Sequence, residues 1–153
     1  RQTISKDDLR DLRKMICVPE AHMLTASGEG AAFLNQMCRM VRALGGCVLL
    51  DTQDTESIAR HTGIMEQIVG VFAFSQQTKP QQSALVELLG LEVTEENMKA
   101  VKNVSVDPTG EVWHGHCLMK DYTGRVATVQ VAIPNERVAE LLSTNPGKAK
   151  VTV

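Results

Sequence analysis

The chain has 153 residues, 43% apolar and 22% charged, the balance of one soluble globular domain large enough to build a core without disulfides or metal. Its net charge of −2 gives no support for bulk attraction to nucleic acid, although it leaves room for a local basic patch. No apolar run approaches the length of a membrane-spanning helix, so no membrane insertion is expected.

The opening RQTISKDDLRDLRK is charged and lacks the apolar segment of a signal peptide. Ser5 can cap a short helix there, with Asp7 and Asp8 in its first turn. Met15-Ile16-Cys17-Val18 is a short continuous apolar run, the pattern of a strand buried on both faces of a parallel sheet, and Pro19 stops it. Phe33, Leu34, Met37, Met40, Val41 and Leu44 recur at spacings of three and four, which predicts a helix from about Glu29 to Leu44, ended by Gly45-Gly46. Cys47-Val48-Leu49-Leu50 is a second buried run. Asp54 or Thr55 caps a helix from about Glu56, and Gly63 is expected to break it before another short helix from Ile64 to Ile68.

Val69 to Phe74 is a third apolar run. Pro80 fits the first turn of the next helix, which ends at Leu89-Gly90, and Thr94 starts another from Glu95 to about Val101. Asp107-Pro108-Thr109-Gly110 is turn chemistry. Val112 to Met119 and Arg125 to Ile133 flank Asp121-Tyr122-Thr123-Gly124, which predicts an antiparallel hairpin. Pro134 closes its second strand, Asn135 caps a final helix from Glu136 to Leu142, and residues 148–153 form a tail or a short added strand. The fold expected is α/β: a mainly parallel sheet flanked by helices, with a C-terminal antiparallel β-hairpin. It divides into a helical lead-in over 1–13, an α/β core over 14–106, and a hairpin with terminal helix over 110–147.

Cys17, Cys38, Cys47 and Cys117 form no CxxC pair, and three of them lie in apolar runs. They read as reduced, buried thiols of a cytosolic protein. His114 and His116 share one strand face, a spacing that zinc can use, but a solvent-facing pair fits better and no metal site is expected. His22 and His61 have no partner visible in the sequence, and Trp113 reads as an anchor for the hairpin.

Ligands of open parallel sheets bind beyond the carboxyl ends of the strands. The residues there are Pro19-Glu20-Ala21-His22, Asp51-Thr52-Gln53 and Ser75-Gln76-Gln77. ICVPEAHML resembles a Walker B strand. CRMVRALGG followed by CVLLDTQ is similar to an arginine-bearing helix and a strand ending in Thr-Gln. VGVFAFSQQTKPQQSALVELLGL resembles the strand and helix that follow, and GHCLMKDYTGRVATVQV with STNPG resembles a C-terminal hairpin and tail. Taken in order from about Lys14 to Gly147, these segments resemble the C-terminal part of the ATPase domain of TraC-like conjugative-transfer and type IV secretion ATPases, in the HerA–FtsK branch of RecA-like P-loop ATPases.

The resemblance implies a RecA-like sheet, with ATP and magnesium bound by a full-length parent. It assigns Glu20 the orientation or activation of the hydrolytic water, and Gln53 the sensing of the terminal phosphate. Arg42 or Arg39 would reach a neighbouring subunit's nucleotide. The plainer alternatives are a solvated loop carboxylate for Glu20, a helix-flanking polar residue for Gln53, and helix-end cations favoured by the macrodipole for Arg39 and Arg42. It also implies a homo-oligomer working with other secretion-machine subunits, indirect contact with DNA, and a cytoplasmic location at the inner face of the cell membrane.

Two departures bear on the chemistry. Pro19 stands where the pattern has a magnesium-holding aspartate, and no GxxxxGK[ST] occurs, Ser27-Gly28-Glu29-Gly30 lacking the Lys-Ser/Thr. Either the phosphate loop lies N-terminal to Arg1 in a longer parent, or the chain is a non-catalytic assembly module of a secretion complex with a degenerate ATPase fold. On either account this segment alone is expected to bind no cofactor and to have no measurable ATPase activity. In the family sheet the phosphate-loop strand lies between the strand ending at Gln53 and the strand at Val71–Phe74. Without it those strands pair directly, leave a gap, or recruit a partner chain.

Overall fold

The computed structural model describes residues 14–106 and 115–131. The first apolar run forms β1 (Lys14–Val18), and the chain turns at Pro19-Glu20 into the short α1 (His22–Thr25) and then α2 (Gly28–Ala43). Ser27 caps α2, its hydroxyl oxygen accepting from the Gly30 N–H at 3.1 Å. The buried positions of α2 are Ala31, Leu34 and Val41, one stripe of the helix. Leu34 is wholly buried, so Leu34→Ala costs about 2–5 kcal/mol. Gly45, at φ +70, provides the left-handed turn that starts β2 (Gly46–Leu50).

β1 and β2 run parallel, in register from Lys14↔Gly46 to Val18↔Leu50. Val18 and Leu50 face a core of Ala21, Ala31, Leu34, Ile58 and Ile64. The other face is open: Met15 is 64% and Leu49 48% exposed, and Cys17 and Cys47 are exposed beside them. Burial of these runs on both faces is therefore corrected to burial on one. The helix that connects two parallel strands covers a single face, and no second layer lies on the other among the described residues. The thiols are corrected with it: all four are free, but only Cys117 is buried and Cys38 partly so.

Asp54 caps α3 (Thr55–Ala59) by accepting from the Ser57 N–H at 3.2 Å, and α4 (Thr62–Met65) follows. Gly63 lies inside α4 and does not break a helix; the break falls at Arg60-His61. A side chain at Gly63 would meet Asn35 Nδ2 at 2.6 Å, so this glycine serves the approach of α4 to α2.

The third apolar run contributes β3 (Val71–Ala73), which does not extend the parallel pair. It pairs antiparallel with β4 (His116–Lys120), which pairs antiparallel with β5 (Val126–Gln130), in the order β3-β4-β5. Among the described residues β2 and β3 do not pair, and β2 bonds only to β1. Between β3 and β4 come α5 (Lys79–Leu89), with Pro80 in its first turn and Gly90 as a left-handed cap at φ +75, and α6 (Glu95–Asn103), capped by Thr94. Ala73 joins Leu85, Val86, Leu88, Leu89 and Val101 in a second core; Ile68 packs against both cores and ties them together. Lys120 Nζ donates to Leu88 O at 3.1 Å, placing a cation on a terminal carbonyl of α5.

The α/β class holds, with helices on one face of a parallel pair and an antiparallel hairpin sheet. The expected lead-in helix at Ser5, the Asp107–Gly110 turn, Trp113, His114, and the Pro134–Leu142 segment with its tail lie outside the described residues. Among the described residues no helix is long and apolar enough to cross a membrane.

Candidate functional site

The parallel ladder runs one rung beyond each strand. Asp51 N–H donates to Val18 O at 3.0 Å, and Ala21 N–H donates to Asp51 O at 2.8 Å. These two bonds clamp the carboxyl ends of β1 and β2 together. Glu20 lies between them with φ +50, the left-handed conformation that side chains other than glycine seldom adopt. The bend redirects the chain from β1 into α1 and turns Glu20 toward the neighbouring strand end.

There, Gln53 Nε2 donates to Glu20 Oε1 at 2.9 Å. His22 Nδ1 lies 3.3 Å from the other carboxylate oxygen, Oε2, and 3.3 Å from Thr52 Oγ1. The Thr52 hydroxyl also donates to Asp54 O and accepts from Asp54 N–H, both at 3.1 Å. The start of α5 leans on the same loop: Gln81 Nε2 donates to Gln53 O at 3.4 Å, and Thr55 Oγ1 donates to Gln81 O at 3.3 Å. The side chains of Glu20 and His22 are 41% and 31% exposed, so their pairing contributes little to stability and the site is open to a ligand.

Of the residues singled out in the sequence, Glu20 and Gln53 are brought into contact. Arg39 and Arg42 are not: both are exposed on α2, near the end that leads into the start of β2. The five residues of β2 span roughly 15 Å between the end of α2 and the strand end that leads to Gln53. At the end of β3, Ser75 Oγ donates to Lys102 O at 2.6 Å and Gln77 Nε2 donates to Ser75 Oγ at 3.2 Å, so these polar residues bind within the second half of the fold. His22 and His61 do have partners, which correct the sequence reading. His61 Nε2 lies 3.2 Å from Thr25 O, and His22 meets Glu20 and Thr52. The signal that could have found His22 and Thr52 was position, since each follows an apolar run within a few residues.

A nucleotide–magnesium site does not fit these residues alone. Pro19 supplies no side-chain oxygen, and the sequence has no phosphate loop to offer a cradle of backbone N–H groups. Among the described residues no group of three His, Cys, Asp or Glu side chains is placed to hold a metal. Two shallow clefts, of about 280 and 270 Å³, lie beside Glu56 and Arg60 and between Asn35 of α2 and Gly63 of α4, and neither includes Glu20 or Gln53. What the strand ends can do chemically is hold one carboxylate in a defined orientation, with an amide beside it that both donates and accepts.

The AAA-like domain family matches residues 1–142. A relative from Bacillus subtilis (strain 168), described as uncharacterized protein YddE, is 25% identical over 134 residues, covering 86% of this chain and 15% of its own. The chain thus spans about 15% of the length of that relative. No solved structure matches the chain.

Proposed function

The chain belongs to the AAA-like domain family, a family of P-loop ATPases, and from that premise we propose that it is the C-terminal ATPase subdomain of a motor protein powering conjugative DNA transfer or type IV secretion. The phosphate loop, and with it ATP and magnesium, would be held by polypeptide outside these residues. Glu20 is the proposed water-orienting carboxylate, Gln53 its phosphate-sensing neighbour, and Arg42, or less favourably Arg39, a cation offered to an adjacent subunit. The motor would act as a homo-oligomer with other secretion subunits at the cytoplasmic face of the membrane, its contact with DNA indirect.

The observation that carries this reading is the 2.9 Å hydrogen bond between Gln53 and Glu20 at the ends of adjacent parallel strands. The open face of Met15, Cys17, Cys47 and Leu49 supports it, because parallel sheets are ordinarily covered on both sides and this one suits a larger ATPase domain. The test is magnesium-dependent ATP turnover by the natural polypeptide that carries this segment. Glu20→Gln should lower kcat by about 100-fold or more while ATP binding persists. Unchanged turnover, or a polypeptide without an intact phosphate loop, would remove the catalytic reading. The second reading, a non-catalytic assembly module, rests on Pro19 and would then take its place.

A further inference from the structure

We propose that His22 is the positioning residue of the strand-end site, held as the Nδ1–H tautomer and donating to Glu20. Two acceptors face one ring nitrogen. Glu20 Oε2, an ionised carboxylate oxygen, can only accept, and it lies 3.3 Å from His22 Nδ1. Thr52 Oγ1 also lies 3.3 Å from Nδ1, and its single proton already points to Asp54 O. An unprotonated Nδ1 would set its lone pair against the carboxylate. A proton on Nδ1 satisfies both contacts at once.

Each oxygen of Glu20 is then held from a different direction. Gln53, from the end of β2, donates to Oε1, and His22, from the start of α1, donates to Oε2. Thr52 links the two sides, because it follows β2, contacts the ring, and is fixed through Asp54 at the cap of α3. A glutamate side chain 41% exposed would otherwise sample several rotamers. His22 narrows that range. This role in turnover rests on the reading of Glu20 as the water-orienting group; the tautomer does not.

The test has two arms. Long-range ¹⁵N–¹H correlation spectra of the 153-residue chain at about pH 8, where an ordinary histidine is neutral, should show His22 protonated at Nδ1. Glu20→Ala combined with Thr52→Val should release the ring to the Nε2–H form. An Nε2–H ring in the unsubstituted chain overturns the proposal, and so does an Nδ1–H ring that persists without both acceptors. In the natural polypeptide with ATP and magnesium, His22→Ala should lower kcat on the order of tenfold at unchanged KM. His22→Asn, which can place an amide N–H near the Nδ1 position, should restore most of it. Equal loss in both variants, or a change confined to KM, overturns the positioning role. Turnover indifferent to Glu20→Gln, in a protein whose His22 is Nδ1–H, overturns the ATPase reading and the role in turnover while the tautomer stands.

Discussion

Gln53 Nε2 donates to Glu20 Oε1 at 2.9 Å across 33 residues of sequence. The bond exists because a 16-residue helix returns the chain so that β2 lies parallel to β1 in register, and both strands end at the same level. Glu20 reaches its partner only by adopting φ +50, so the contact and the backbone conformation are one arrangement.

Glu20→Gly and Glu20→Ala both remove the contacts to Gln53 and His22, but only glycine accepts φ +50 without steric cost. The glycine variant should be the more stable by about 1 kcal/mol in urea denaturation. Alanine is ordinarily favoured over glycine through the unfolded state, so an alanine variant of equal or greater stability would contradict a left-handed residue here.

Gly28 and Gly30 sit in the same first turn of α2 yet should respond oppositely to alanine. A Cβ at Gly30 would lie 2.0 Å from Leu24 O, a backbone atom at the end of α1, whereas nothing lies within 4 Å at Gly28. Gly30→Ala should lose about 1–3 kcal/mol as α1 and α2 are forced apart. Gly28→Ala should gain about 0.5–1 kcal/mol from its lower chain entropy. Thermal melting of the two variants measures the difference in sign.

The hairpin turn carries an acid-sensitive group. The Thr123 hydroxyl, the backbone N–H groups of Arg125 and Thr123, and the Arg125 side chain all donate to Asp121, together holding its carboxyl down to about 2 against the opposing effect of desolvation. A carboxylate with a lowered folded-state pKa stabilises the turn fully above its unfolded value of about 3.9, and loses that contribution as pH falls from about 4 toward about 2. A ¹³C titration should follow Asp121 through that low range. Thr123→Val, which removes the largest cause, should move the midpoint upward; an unmoved midpoint would show that the hydroxyl plays no part.

The four thiols should separate by rate. Cys17 and Cys47 are exposed on the open face of the parallel pair and should react promptly with a disulfide reagent in the native protein. Burial raises the Cys38 and Cys117 thiols above the ordinary range, which lowers the fraction of reactive thiolate, and Cys117 is also fully enclosed. Cys117 should label slowest until the chain is denatured, as peptide mapping over time would record. Labelling of Cys117 as fast as Cys17 would contradict the packing of β4.

Much of the local structure was legible in the residues. Asp54 and Thr94 announce helix starts through side-chain oxygens, Gly45 and Gly90 announce ends through their left-handed freedom, and Asp121–Gly124 announces the hairpin. Gly63 misled because glycine marks two different needs, a helix end or a close approach, and here Asn35 imposes the second. Cys17, Cys47 and Leu49 misled because an apolar run reports what a strand can bury, not whether a layer lies on each face.

The order of residues by itself determined most helix starts and the approximate place of each strand, and which short segments carry polar groups at strand ends, because capping, periodicity and glycine conformation act within a few residues. Only the tertiary structure decided that Val71–Ala73 pairs with His116–Lys120 instead of following β2, and that His22 and Thr52 join Glu20 and Gln53. Those outcomes depend on pairing between segments far apart in the chain. Strand register and helix crossover set that pairing, and no local pattern encodes either one.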